Sequence, residues 1–336
     1  MSEKESKQLP IGIGGKKLKE NKEEMLPAIE VDNEVEWVNP EIEAPFGIVE
    51  GKPTSLGMFY TSNPEGQKLH HLKIMPGHKR TGILGRVIFK DAQGRLYRDV
   101  DLKGVGYNLE GVAVNPTVSP DKTWGIARSD YVANDKEMTE EFLRVGIRTY
   151  RIIAVTKLKE IVVNKKKISI EQAIKLGFIK EDDDPVVEIR AFGTRTRVGD
   201  IRDYSQYLLD DAIEMVKQEL NKKPDDKFGR EEYFDWFLDT MAKNLAIMHN
   251  NGWIHGYLTP HNVTLDARIV DLDSVETAEE ITKERRGDEK SQANDFGESW
   301  SAISLLCGGL KSSKSSYLDV VYEEYRKKYR FYRKQK

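Results

Sequence analysis

The chain has little with which to build covalent or thiolate-held structure. Only one of its 336 residues is cysteine, Cys307, so neither a disulfide framework nor a zinc cluster of thiolates can be made from it. A reducing, cytoplasmic setting is the default expectation for such a composition. No apolar run approaches the roughly 20 residues that a membrane-spanning helix needs. The N-terminus, MSEKESKQLP, lacks the apolar stretch of a secretion signal. Charge of one sign is scarce as well, since a net charge of −3 argues against a general nucleic-acid binder. His70 and His71 have no ligand partners at helical spacing, so no metal site is expected at that pair. Ligand and metal chemistry is left to Asp, Glu, Asn and His.

What is present suits a soluble α+β protein of two lobes, with 38% hydrophobic and 32% charged residues. Residues 1–35, rich in Lys and Glu, read as a flexible arm. Gly12, Gly14 and Gly15 look like a phosphate loop but lack the strand and helix such a loop joins. Residues 36–76 read as irregular structure with short strands, in which Trp37, Phe46 and Phe59 serve packing. From Thr81 the pattern turns to β. A strand reaches Lys90, Asp91–Arg95 turns, and Leu96–Leu102 returns with Lys103 at its end. Backbone N–H groups of Gly82 and Gly85 could cradle a phosphate there, with Lys103 beneath them. A helix is expected from Asn134, with Glu137 completing a capping box and Met138, Phe142 and Val145 on its apolar face, stopping at Gly146. Glu140 falls in its middle. Strands are expected at Ile147–Thr156 and Val186–Phe192, the second carrying Glu188 and Arg190, with a short helix at Ser169–Leu176 between them. A β-rich N-lobe, 36–199, then gives way near 199–204 to a helical C-lobe, 200–336. Leu209, Ala212, Ile213 and Val216 mark one of its helices, and Phe234 to Met248 mark another that stops at Gly252. The basic end, Arg326–Lys336, reads as a solvated helix terminus.

The stretch Trp253–Glu276, WIHGYLTPHNVTLDARIVDLDSVE, organises the rest. A turn at Asp266-Ala267 would set Thr264 opposite Ile269 and Asn262 opposite Asp271. Opposed residues in such a ribbon lie about 4.5–5.5 Å apart. An amide oxygen and a carboxylate would then meet, and hard oxygen ligands of this kind suit Mg²⁺ bound with nucleotide phosphates. Asp273, two residues on, is the next ligand in line.

Taken in order, Gly82/Gly85, Lys103, Glu140, His255-Gly256, Asn262 and Asp271 resemble the parts of a protein-kinase-like bilobal fold. Asp295-Phe296-Gly297 resembles the start of the buried helix that anchors its large lobe. Over about residues 80–276 the chain resembles more closely the selenoprotein O family, kinase-like proteins that transfer AMP to other proteins. Asp101–Gly106 is similar to that family's QLKGxG strand, and Ala127-Arg128-Ser129 with Gly146–Arg151 to the edges of its glutamate helix. Val187–Arg190 with Arg197-Val198-Gly199 is similar to VRVAxSxxRFG, and His255 to Asp271 to HGxMNTDN…IDYG. The chain departs from the family at His261, where the family has Asp, and at Leu272-Asp273, where it has Tyr-Gly.

The resemblance implies ATP and Mg²⁺ as cofactors, and transfer of AMP to Ser, Thr or Tyr hydroxyls of protein substrates. Lys103 would meet a phosphate and Glu140 would orient it. Arg190 and Arg197 would clamp the terminal phosphate in a reversed nucleotide pose, with Arg195 left as a solvated loop residue. Asn262 and Asp271 would hold the metal, and His261 could take the hydroxyl proton. His255 would brace its loop. Tyr257 stands where kinases carry their catalytic Asp. Two other outcomes stay open on the same scaffold, transfer of the γ-phosphate and a pseudokinase that only binds ATP.

Overall fold

The computed structural model describes residues 24–42, 47–61, 67–74, 81–106, 125–202, 206–223, 225–283, 291–310 and 314–335. The three glycines at 12–15, Phe46 and the connection around Pro116 and Pro120 lie outside them. In chain order the strands begin with β1 (Glu24–Glu30), β2 (Asn33–Val38), β3 (Met58–Tyr60), β4 (His70–Ile74), β5 (Thr81–Lys90), β6 (Leu96–Lys103) and β7 (Ala127–Arg128). Helix α1 (Ser129–Arg144) follows, then β8 (Arg151–Leu158), β9 (Glu160–Val163), β10 (Lys166–Ser169), α2 (Ile170–Lys175) and β11 (Pro185–Phe192). Beyond a 3₁₀ turn at Val198–Arg202 come α3 (Gln206–Glu219), α4 (Arg230–Asn250), β12 (Trp253–Ile254), β13 (Glu276–Thr277), α5 (Ala278–Lys283), α6 (Gln292–Leu310) and α7 (Ser315–Arg333). The fold is mixed α+β.

A nine-stranded sheet runs β2-β8-β11-β6-β5-β4-β1-β3, with β7 added to β11. At its middle is the β5–β6 hairpin, whose turn is held by Asp91. That carboxylate accepts from the N–H of Gln93 at 3.0 Å and of Arg95 at 2.9 Å. β11 lies between β6 and β8 and is buried along its whole length, including the charged Glu188 and Arg190 in its middle. The last third of the stretch read as a flexible arm is largely strand. Residues 24–30 and 33–38, counted with it or just beyond it, pair with β3, β4 and β8 and bury Leu26, Ala28, Ile29 and Val35.

The helices largely follow their patterns. The buried faces of α3 and α4 carry the stripes read from the sequence, and Ser169 caps α2 by accepting the Gln172 N–H at 3.1 Å. Helix α1 is the exception. It starts at Ser129, so Asn134 and Glu137 lie inside it and form no cap. Its buried face is Val132, Asp135, Thr139, Phe142 and Leu143. Among the described residues no helix is long and apolar enough to cross a membrane.

Two glycines show what the backbone needs. Gly104 has φ +96°, and a Cβ there would lie 2.5 Å from the Val186 carbonyl oxygen and 2.8 Å from Ala127 Cβ. Gly94 in the hairpin turn has φ +77° and open space around it. Gly104→Ala therefore combines left-handed strain with a backbone clash and should cost about 2–4 kcal/mol, whereas Gly94→Ala should cost only about 1–2 kcal/mol. Urea unfolding of the two variants checks this, and equal losses would refute the clash.

Candidate functional site

Pairing of β6 with β11 sets Lys103 opposite Glu188 and Asp101 opposite Arg190. Side chains two apart share a face, so four charged groups emerge together on the side where α1 lies. Arg190 donates from Nε and Nη2 to the two Asp101 oxygens at 2.9 and 3.0 Å. Arg195 reaches the same carboxylate through Nε and donates to Thr81 Oγ1. It is 4% exposed, so the expectation of a solvated loop residue is corrected.

Lys103 is ringed by three carboxylates, Asp135 at 3.4 Å, Glu188 at 3.6 Å and Asp273 at 3.6 Å. Burial alone would push its ammonium down, but these acids hold it above its usual value. The acid that α1 supplies is Asp135, not Glu140. Five residues along a helix turn the side chain by about 140°, so the two cannot share a face. Glu140 instead accepts from Arg151 at 2.8 Å and Asn39 at 2.9 Å, tying α1 to β8 and to the residue that follows β2. Tyr150 donates its hydroxyl to Asp135. Glu188 is fully buried and neither of its oxygens has a hydrogen-bond partner. Burial first, and then the neighbouring Asp135, pushes its carboxyl up to about 8, while burial also raises Asp135.

Gly82 and Gly85 sit within β5, paired opposite Leu102 and Val100, and not in a loop over the site. A Cβ on Gly82 would meet Leu72 Cδ1 at 2.7 Å, so close packing explains that glycine. Gly85 has φ +139° and lies where the β5–β6 register shifts.

The loop after α4 is fixed from below. Asp295, at the start of α6 and fully buried, accepts the N–H of His255 and of Gly256, each at 2.8 Å. His255 Nε2 lies 2.9 Å from the Val270 carbonyl oxygen, so this residue braces the loop as its position suggested. Tyr257 is 54% exposed, and its carbonyl accepts from the Asn262 amide at 2.8 Å. His261 is exposed, and its ring lies so close to Gly199 that a Cβ there would be 2.6 Å from Nδ1.

Asn262 and Asp271 do come together, though in a different register. Val263 bridges Ile269, and the Ala267 N–H returns to the Thr264 carbonyl, so three residues make the turn with Ala267 at φ 57°. Asp271 takes a left-handed conformation, φ 60° and ψ 55°. Burial would raise its carboxyl, but Arg197, Lys103 and Arg190 hold it well below the usual range. Arg197 Nη1 donates to Asp271 Oδ2 at 2.9 Å and to Asn262 Oδ1 at 3.1 Å, and Arg190 Nη1 lies 3.8 Å from Asp271 Oδ1. The two arginines thus converge on the pair expected to bind metal. With those oxygens already engaged, the set does not fit Mg²⁺ as it stands.

A second ionic cluster lies behind this one. Arg268, fully buried over the Tyr97 ring, donates to Asp266, to the carbonyls of Leu96 and Thr149, and to Glu219. The sequence signal was a charged pair, Asp266 and Arg268, inside the apolar run VTLDARIV.

No family model and no curated protein matches the chain. Among solved structures it is similar to the crystal structure of a Toxoplasma gondii specific rhoptry antigen kinase domain, at 11% identity, over 78% of this chain and 76% of that one, with a TM-score of 0.34. A likeness at that score decides neither fold family nor function.

Glu188 gives the site a pH signature. Its carboxyl rises from an ordinary 4.5 to about 8 in the folded protein. Below the lower value both states hold the proton and nothing is lost. Between the two values the unfolded chain releases it first, so folding stability falls with rising pH until the folded form also releases it. Glu188→Gln should therefore gain stability over wild type at about pH 9 and gain much less at about pH 5. Thermal melts across that range decide it, and a gain independent of pH would refute the assignment.

Proposed function

We propose that the protein is a nucleotide-binding scaffold of protein-kinase-like build that has lost phosphoryl transfer and acts as a regulatory binding module. The observation that carries this is the set around Lys103. A strand lysine is clasped by a carboxylate from α1, which packs against the sheet, beside an acid that follows the loop braced at His255. A kinase-like site uses a strand lysine, a helix acid, a loop asparagine and a metal-binding Asp in the same relation. The lysine offers a point charge to a phosphate, and the ring of acids keeps it protonated. Transfer is a different matter. The loop HGYLTPHN holds no carboxylate, and exposed Tyr257 stands where kinases place the acid that receives the hydroxyl proton.

A second reading keeps AMP transfer to protein hydroxyls, with His261 as proton acceptor. It is favoured by one observation, the convergence of Arg190 and Arg197 on Asp271. It requires both guanidinium groups to leave their own carboxylates for a terminal phosphate.

Calorimetry with ATP on the full chain tests the first reading. Binding is expected for wild type and for Tyr257→Phe, and should weaken at least tenfold in Lys103→Met. At 100 times its Kd, ATP should also add about 2.7 kcal/mol of stability. Separate incubations with α-labelled and γ-labelled ATP should leave protein unlabelled. Protein-bound α-label would establish the second reading, and protein-bound γ-label a working kinase.

A further inference from the structure

Among the described residues no group of three or more His, Cys, Asp or Glu side chains could hold a metal ion. The oxygens expected to do so converge on a nitrogen. Nη1 of Arg197 donates to Asp271 Oδ2 at 2.9 Å, to Asn262 Oδ1 at 3.1 Å and to the backbone oxygen of His261. A carboxylate, an amide and a carbonyl thus surround one positively charged centre, as they would surround a cation.

The backbone that carries this side chain is fixed in place. The Arg197 N–H donates to Asp200 Oδ2 at 2.8 Å, its backbone bridges Thr264, and the Val198 N–H donates to the Val263 carbonyl at 2.8 Å. The residue is 9% exposed. A guanidinium does not release its proton in a protein, so the charge is permanent. Asp273, the next carboxylate, faces Lys103 at 3.6 Å. Mg²⁺ requires near-octahedral oxygens at about 2.0–2.1 Å, closer than oxygens spaced around an N–H donor can lie.

We propose that Arg197 is a built-in cation, which excludes divalent metal from Asn262 and Asp271 and lets the site take a nucleotide without one. The second clause rests on the nucleotide-binding reading above, and the first does not. A nucleotide phosphate in this site would compete with Asp135, Glu188 and Asp273 for Lys103 and with Asp271 for Arg197, in place of meeting an exchangeable ion.

Mn²⁺ is the probe, followed by electron paramagnetic resonance on the full chain without nucleotide. Wild type should leave millimolar Mn²⁺ free at this site, so that Asp271→Asn changes nothing. Arg197→Ala should gain one bound Mn²⁺, and Arg197→Ala combined with Asp271→Asn should lose it again. Wild-type Mn²⁺ binding that disappears in Asp271→Asn overturns the proposal, and this arm needs no arginine variant to fold. A folded Arg197→Ala protein that gains no Mn²⁺ also overturns it. With ATP, the affinity in EDTA and in Mg²⁺ should agree within twofold, and a tenfold gain from Mg²⁺ overturns metal independence. Absence of ATP binding in both conditions refutes the nucleotide reading and with it the second clause, while the Mn²⁺ arm still decides the first.

Discussion

The pairing of β6 with β11 is the constraint on which the rest of the molecule depends. Each strand places alternate side chains on alternate faces, so one residue of slip would turn Asp101 and Lys103 to the face opposite Glu188 and Arg190 and part both pairs. All four are buried, and a buried charge without its partner is strongly destabilising. The register that builds the sheet therefore also composes the charged site. Helix α1 is tied to the same residues through Asp135, and the loop beyond α4 through Asp273 and Asp271.

These ionic groups sit where two kinds of structure meet. One apolar cluster runs from sheet residues such as Leu96, Ile152 and Phe192 into the helices, and ion pairs cross the same seam: Arg86 and Arg98 on Asp211, Arg148 on Glu219, Arg190 and Arg197 on Asp271. Such pairs add little net stability over apolar contacts of the same volume. What they give is a single arrangement, because a guanidinium fork satisfies a carboxylate in one geometry. The cation–π contacts of Arg190 with Tyr150 and Phe192 sharpen that choice.

Much of this was legible in the sequence where a local rule decides. The β5–β6 hairpin, the stripes of α3 and α4, the Ser169 cap and the helix that starts near Asp295 all follow from short-range pattern or motif. The errors have a common cause, which is that distant contacts choose the face or the register. Helix α1 begins five residues before its apparent capping box, and that selects Asp135 over Glu140. The ribbon after Asn262 turns with three residues because Ala267 takes a left-handed conformation that nothing local demands. Gly82 is small for the sake of Leu72, not for a phosphate. Strand β1 was hidden because EMLPAIE contains a proline and follows a charged stretch, and its partners lie some thirty residues or more downstream. Arg195 looked solvated because a loop position says nothing of the carboxylate it meets.

Asp295 has a consequence for the way the chain is made. It supplies the acceptors that hold His255 and Gly256, yet it follows them by 40 and 39 residues. During synthesis at about 5–20 residues per second, the loop exists for about 2–8 seconds before its anchor has even been translated. The sheet can pair strand by strand as it emerges, but the N–H groups of His255 and Gly256 lack their acceptors until α6 arrives. A chain that stopped before Asp295 would leave the N–H groups of His255 and Gly256 without these acceptors.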